Sequence, residues 1–192
     1  WGRVHDGVLY IYREWPDQRS MGDWAIPSHK ADGSPGPAQR SGGGGRAIWE
    51  YKRLIKELEG GEEIFMRLID PRAAGSTQLD GTTITDKLES DEFGYDPMPC
   101  YRASGRKVDE GVTLINDLLY FDATKPVDED NRPRLMVSSD CKNIIYSLRE
   151  WTNQDSDRGA CKDPVDTVRY LCMDDNLMVK EDCLEITGGG SY

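Results

Sequence analysis

The sequence predicts an α/β layer protein with antiparallel strands at its start. Two observations predict this class: short strand patterns alternate with longer helical patterns along the chain, and the first two strands read as a hairpin. No internal repeat or heptad pattern is visible. A chain of 192 residues can bury one sizeable core, so we expect a single domain over residues 1–192.

A hairpin and a long loop open the chain. The segment RVHDGVLYIYREWP joins two β-rich runs through a His-Asp-Gly turn, and Pro16 ends the second run. Residues 17–45 are rich in Gly, Pro, Ser and charged residues, which predicts a long flexible loop. The loop closes with a glycine run that lacks the G-x-x-x-x-G-K-[ST] pattern of a phosphate-binding loop, so we interpret it as a linker.

The next third of the chain predicts a helix, a strand, a short helix and a second strand. In RAIWEYKRLIKELEGG, five apolar residues recur at helical spacing and two glycines end the helix. The mostly apolar EEIFMRLID is typical of a central strand covered on both faces, and it ends at Asp70. TTITDKLESDEFG predicts a short helix with a threonine cap, and MPCYRA predicts a strand.

The last third predicts three helices and one strand. VDEGVTLINDLLYFD has an apolar face of Val112, Ile115, Leu118 and Leu119, and a loop then leads to the strand RLMVS. DCKNIIYSLREWT predicts a helix capped by Ser139 or Asp140, and the final helix is expected to begin near Asp163.

Composition limits the classes of function. The net charge of −11 argues against a general nucleic-acid binder, although an enzyme with a carboxylate-rich metal site and a small basic patch stays possible. The five cysteines include no C-x-x-C pair, which favours reduced thiols in a cytoplasm over a zinc site or a disulfide framework. No apolar run has the length of a membrane span.

Three aspartates are the candidate site residues. Asp70 ends an apolar strand, where open α/β sheets place ligands, but an aspartate before proline is also a common turn residue. Asp163 and Asp166 lie three residues apart around Pro164, so that both can face one cation, or serve as helix cap and first-turn acid. The two histidines, His5 and His29, fit no nucleophilic triad.

Four segments in order resemble the C-terminal nuclease domain of the large terminase subunit of tailed bacteriophages. They are LYIYREWP, RLIDPRAAG, INDLLYFD with PRLMVSSDCKNIIYSLREWT, and KDPVDTVRYL. Asp163, Asp166, Arg169 and Tyr170 match the family's final signature, and Asp70 corresponds to its middle acid. The resemblance implies a ribonuclease H-like mixed sheet flanked by helices, with Asp70 and Asp166 as ligands of Mg²⁺ or Mn²⁺ and Asp163 as an auxiliary ligand.

The implied activity is endonucleolytic cutting of concatemeric viral DNA during genome packaging, by two-metal phosphodiester hydrolysis. The implied partners are double-stranded viral DNA, the portal protein and the small terminase subunit, in the host cytoplasm and without a membrane. Other ribonuclease H-like nucleases, such as a resolvase or transposase core, and a non-catalytic binding or assembly module remain alternatives. The candidate DNA contacts are Arg72, Arg102, Arg106, Lys107, Lys142 and Lys162.

The chain also departs from the family. The family's first acid lies on a strand upstream of the opening hairpin, and Asp6 is a poor substitute because it falls in the turn. The ATPase half is absent, since no Walker A pattern occurs. We therefore expect a fragment, N-terminally truncated, with an incomplete site and reduced or no activity of its own.

Overall fold

The computed structural model describes residues 1–15, 48–77, 80–91, 96–152 and 162–174. The predicted loop over residues 17–45 lies outside this part of the chain. In chain order the elements are β1 Gly2–His5, β2 Val8–Ile11, α1 Ile48–Glu59, β3 Leu68–Ile69, α2 Pro71–Ala74, α3 Ile84–Glu89, β4 Tyr101–Arg102, α4 Val108–Leu119, β5 Leu135–Val137, α5 Lys142–Glu150 and α6 Lys162–Cys172.

The protein is a mixed α/β structure that divides into two compact units. The first unit comprises Trp1–Met21 and Arg106–Tyr192, and the second comprises Gly22–Gly105. The prediction of a single domain over residues 1–192 stays a prediction, and each unit is described by itself. Among the described residues, no helix is both long and apolar enough to cross a membrane.

A small mixed sheet organises the first unit. β1 and β2 form the predicted hairpin, whose two turn residues Asp6 and Gly7 have φ of 49° and 67°. Positive φ at both turn positions is the geometry of a type I′ turn, which asparagine, aspartate and glycine favour. On its other side β2 pairs in parallel with β5, with Leu9 opposite Leu135. The sheet order is therefore β1-β2-β5.

Three helices pack in the first unit and complete its core. α6 contacts both α4 and α5, and α4 contacts β5. The predicted apolar face of α4 is confirmed in part: Ile115 and Leu118 are buried, Val112 is half-buried, and Leu119 is 37% exposed. The buried cluster consists of Leu9, Ile11, Ile115, Leu118, Leu135, Cys141, Ile144, Val168 and Cys172.

The start of α5 corrects one prediction. Neither Ser139 nor Asp140 caps this helix: the N-cap residue is Cys141, which makes no side-chain cap bond. The carboxylate of Glu14 instead accepts hydrogen bonds from the amides of Asn143 and Ile144, at 2.8 and 2.9 Å. Glu14 lies three residues after the end of β2, so this carboxylate connects the segment that follows a sheet strand to the start of a helix.

The second unit is built from shorter elements. α1 and α3 agree with prediction, and Thr83 and Asp86 form a reciprocal capping box at the start of α3. The long central strand over residues 62–70 is wrong: only β3 is a strand, it is half-buried, and Phe65 is 80% exposed. The physical reason is pairing, because β3 is matched to β4 over two residues only, Leu68 to Tyr101 and Ile69 to Arg102.

The buried face of α1 also differs from the pattern. The predicted apolar stripe is half-buried, while Lys52 and Glu59 are the buried residues of the helix. Glu59 accepts two hydrogen bonds from the Arg67 guanidinium, at 2.8 and 2.7 Å, and the Lys52 ammonium donates to the carbonyl of Ser90. Ion pairing and hydrogen bonding thus compensate for burial of these charges.

Candidate functional site

α6 carries two of the three candidate acids, Asp163 in its first turn and Asp166 just after that turn. The helix begins at Lys162, so Asp163 and Pro164 lie inside the first turn rather than at the N-cap and first helical position. Val165, Val168 and Cys172 are buried and fix the helix face, which leaves Asp163 exposed and Asp166 half-buried. An acid in the first turn also interacts favourably with the helix dipole.

The carboxylate of Asp166 lies between two cationic side chains. Its Oδ1 accepts from Nε of Arg169 at 3.0 Å, and Nη2 of Arg169 is also 3.0 Å from Oδ1. Its Oδ2 lies 3.9 Å from Nζ of Lys162. Asp166 is therefore held in one orientation on its Oδ1 side and faces a cation on its Oδ2 side.

Arg169, in the last turn of α6, is unusual because its side chain is charged and almost entirely buried. The residue is 5% exposed. Besides Asp166, its guanidinium donates to the carbonyl of Arg106 at 3.4 Å and lies 4.7 Å from the centroid of the Tyr170 ring. Each of these contacts offsets part of the free-energy cost of burying the charged guanidinium.

Asp70 has a local structural role in the second unit. It follows β3 and is the N-cap of α2, where Oδ1 accepts from the amides of Arg72 and Ala73 at 2.8 and 3.0 Å. Pro71 occupies the start of the helix, as is common. Asp70 is thus a capping residue before Pro71, as one of the two sequence interpretations expected. Its role as a metal ligand stays a prediction.

The structure brings Asp163 and Asp166 onto one helical turn of the first unit, whereas Asp70 belongs to the second unit. Within the described ranges, no group of three or more His, Cys, Asp and Glu side chains is placed to hold a metal ion.

The chemistry of the α6 carboxylates nevertheless suits a hard cation. Mg²⁺ prefers oxygen ligands and is often bound through only one or two carboxylates, with water and substrate phosphate oxygens completing its coordination. The Lys162 ammonium already stands on the Oδ2 side of Asp166, so positive charge is accommodated there. Asp166, with Asp163 beside it, would hold the metal, which would displace this ammonium.

The candidate DNA contacts fall in both units. Arg106 and Lys107 are exposed immediately before α4, and Lys142 is exposed at the first position of α5. In the second unit, Arg72 and Arg102 are exposed. Lys162 is different from the rest, because its side chain is only 15% exposed and pairs with Asp166.

The cysteines that the structure describes are free thiols. Cys141 and Cys172 are buried, and Cys100 is half-buried. Burial raises the pKa of Cys172 to about 12. Burial and, to a smaller extent, the Glu14 carboxylate raise the pKa of Cys141. Both thiols are therefore protonated and poorly nucleophilic at neutral pH, which argues against catalysis through them. Cys161 and Cys183 lie outside the described residues.

Sequence reasoning missed the roles of Glu14 and Arg169. Glu14 bonds to amides that are 129 and 130 positions away, a distance at which no local pattern gives a signal. Arg169 offered a signal, because an arginine three residues after an aspartate on a helix can pair with it.

Comparison of the chain with protein-family models, with curated proteins and with solved structures finds no match.

Proposed function

We propose that the chain is a metal-dependent DNA endonuclease domain of a phage genome-packaging terminase, with a ribonuclease H-like arrangement of its sheet and helices. The observation that carries the proposal is the start of α6, where Asp163 and Asp166, which match the family signature, lie three residues apart and Asp166 is paired with Arg169. The parallel pairing of β2 with β5, next to the antiparallel β1, is also compatible with such a sheet.

The roles of the residues follow from their chemistry. Asp166 and Asp163 would hold the divalent cation, and the resemblance implies that Asp70 would be a further ligand. Bound Mg²⁺ or Mn²⁺ would polarise the scissile phosphate and lower the pKa of an attacking water. DNA phosphates would be neutralised by the exposed cationic residues Arg72, Arg102, Arg106, Lys107 and Lys142. Lys162 would also contact a phosphate when it is not paired with Asp166. The substrate is concatemeric viral DNA in the host cytoplasm, with the portal protein and the small terminase subunit as partners.

Metal binding is the first test, because the resemblance places one further acid upstream of residue 1. We expect Mn²⁺ to raise the melting temperature of the chain, since a ligand that binds only the native state stabilises it. The variant Asp166→Asn should lose this shift. Asp117→Asn, on the exposed side of α4, removes the same charge elsewhere in the first unit and should retain it.

Cleavage of supercoiled plasmid in the presence of Mn²⁺ tests the reaction. Asp166→Asn should lower the rate by more than the roughly 100-fold typical of residues that only support a metal ligand. A cleavage rate that is equal in the wild type and in Asp166→Asn would show that Asp166 takes no part in catalysis.

A non-catalytic binding or assembly module is the second candidate, and two contacts favour it. Asp70 caps α2, and Asp166 pairs with Arg169 and Lys162, so both acids have structural tasks without a metal. Under this alternative, neither Mg²⁺ nor Mn²⁺ changes the melting temperature, and Asp166→Asn alters stability alone.

A further inference from the structure

A glycine on α4 accepts the side chain of Arg169 from α6. Gly111 is buried, at a helix position where glycine is disfavoured by roughly 1 kcal/mol relative to alanine. A Cβ at this position would overlap Cγ and Cδ of Arg169 and would lie 2.6 Å from Sδ of Met173. The aliphatic stem of Arg169 therefore lies directly on the α4 backbone, in space that only glycine leaves open.

This slot determines where the guanidinium goes. With the stem fixed on Gly111, the guanidinium reaches the carbonyl of Arg106 just before α4, at 3.4 Å. The Tyr170 ring lies 4.7 Å away, and Sδ of Met173 lies 3.8 Å from Nη1. Arg169 is thus anchored to two helices through contacts independent of Asp166.

An anchored guanidinium fixes the carboxylate that it binds. Both Nε and Nη2 lie 3.0 Å from Oδ1 of Asp166, which restricts rotation of the carboxylate. Oδ2 is then directed toward the Lys162 ammonium, at 3.9 Å. The arrangement assigns different tasks to the two oxygens: Oδ1 accepts from the protein, and Oδ2 faces a cation.

We propose that Arg169 is a positioning residue that holds Asp166 in its metal-binding orientation, and that Gly111 is the slot that fixes Arg169. This inference rests on the proposed function, because it takes Asp166 to be a metal ligand. It adds two supporting residues: Gly111 on α4, through its lack of a side chain, and Arg169 on α6, through its guanidinium donors. Residues that orient ligands typically affect metal affinity about 10- to 100-fold.

A purely electrostatic role for Arg169 predicts the opposite change in Mn²⁺ affinity from a positioning role, so the inference is testable. If Arg169 acted only as a positive charge near the metal, its removal would strengthen Mn²⁺ binding, because like charges repel. If Arg169 positions Asp166, its removal weakens Mn²⁺ binding in spite of the lost repulsion. The direction of the change therefore separates the two roles.

The experiment measures the Mn²⁺ dissociation constant of the whole chain by the electron paramagnetic resonance signal of free Mn²⁺, well below the melting temperature of every variant. We expect Arg169→Gln to weaken binding by about 10- to 100-fold. Arg169→Lys should also weaken binding, since lysine keeps the charge but lacks the planar fork. Gly111→Ala should act in the same direction by displacing the Arg169 stem. Arg149→Gln, on the exposed face of α5, is the matched control and should bind Mn²⁺ like the wild type.

A double-mutant cycle with Asp166→Asn completes the test. If Arg169 acts through Asp166, then Arg169→Gln has no additional effect on Mn²⁺ affinity in the Asp166→Asn background. Unchanged or tighter Mn²⁺ binding by Arg169→Gln and Arg169→Lys, with Asp166→Asn weakened, overturns the positioning role and leaves the metal site standing. Unchanged binding by Asp166→Asn itself overturns the proposed metal site and the positioning role together. Should Gly111→Ala fail to fold, the two Arg169 variants decide.

Discussion

The two units bury different kinds of side chain. In the first unit, apolar residues form one buried cluster between the sheet and three helices, and Arg169 on α6 is a buried charged side chain beside it. In the second unit, Lys52 and Glu59 are as buried as the apolar residues Ala74, Leu88, Met98 and Ala103. A continuous apolar layer therefore stabilises the first unit, whereas the second unit also depends on specific polar contacts of the charges buried on α1.

The strands of the two units also differ in length. β2 and β5 pair in parallel and present Leu9, Ile11 and Leu135 to helices of 9 to 12 residues, so apolar contacts extend over several turns. In the second unit, β3 and β4 have two residues each, and α2 has four. Elements of that size bury little apolar area, and capping and ion pairing must contribute a larger share of their stability.

The largest effect is expected from the apolar layer of the first unit. Leu118 is 1% exposed and lies in the core cluster, so Leu118→Ala removes buried methyl groups and leaves a cavity. We expect a loss of about 2–5 kcal/mol in the free energy of unfolding, measured by urea denaturation.

Its neighbour Leu119 provides the control, because it is 37% exposed on the same helix. Leu119→Ala should cost no more than about 0.5 kcal/mol. Equal losses for the two leucines would show that α4 does not pack through the face described here.

Loss of the charge partner of the buried Glu59 should destabilise the second unit. Arg67→Met removes the guanidinium that gives Glu59 two hydrogen bonds and leaves a carboxylate buried without that partner. The expected cost is roughly 1–3 kcal/mol, detected as faster hydrogen exchange of the α1 amides by mass spectrometry.

Arg53→Met is the matched control, since Arg53 forms an exposed pair with Glu57 at 3.3 Å on the same helix. Exposed pairs of this kind contribute about 0.3–0.5 kcal/mol, so exchange should change little. If the Arg67 and Arg53 variants exchange alike, polar burial does not distinguish the second unit from the first.

Local patterns predicted the elements of the first unit well and the contacts between them poorly. The turn at Asp6 and Gly7, the face of α4 and the strand β5 follow from spacing within a short window. The lengths of β3 and β4 do not, because a strand extends only as far as its partner, and the partner lies some 30 positions away.

In the candidate site, too, local sequence patterns predicted residue positions but not the contacts between elements. Spacing predicted that Asp163 and Asp166 share a helical turn, and they do. The slot at Gly111 depends on α4 and α6 packing together, residues 111 and 169 being far apart in the sequence. The helix period therefore determines where Asp163 and Asp166 lie on α6, whereas tertiary packing determines which groups contact Asp166.

The smallest of the three expected effects concerns the polar contact between Glu14, which follows β2, and the start of α5. Glu14→Ala removes the acceptor of the Asn143 and Ile144 amides, and loss of a helix cap typically costs about 0.5–2 kcal/mol. Asp140→Ala tests the cap that the sequence predicted; because its exposed side chain does not cap α5, stability should change by less than about 0.5 kcal/mol. Urea denaturation of both variants measures the two losses in the free energy of unfolding and shows which residue caps α5. A larger loss for Asp140→Ala would mean that α5 is capped locally and that the first unit needs no polar tie between its strand and its helix.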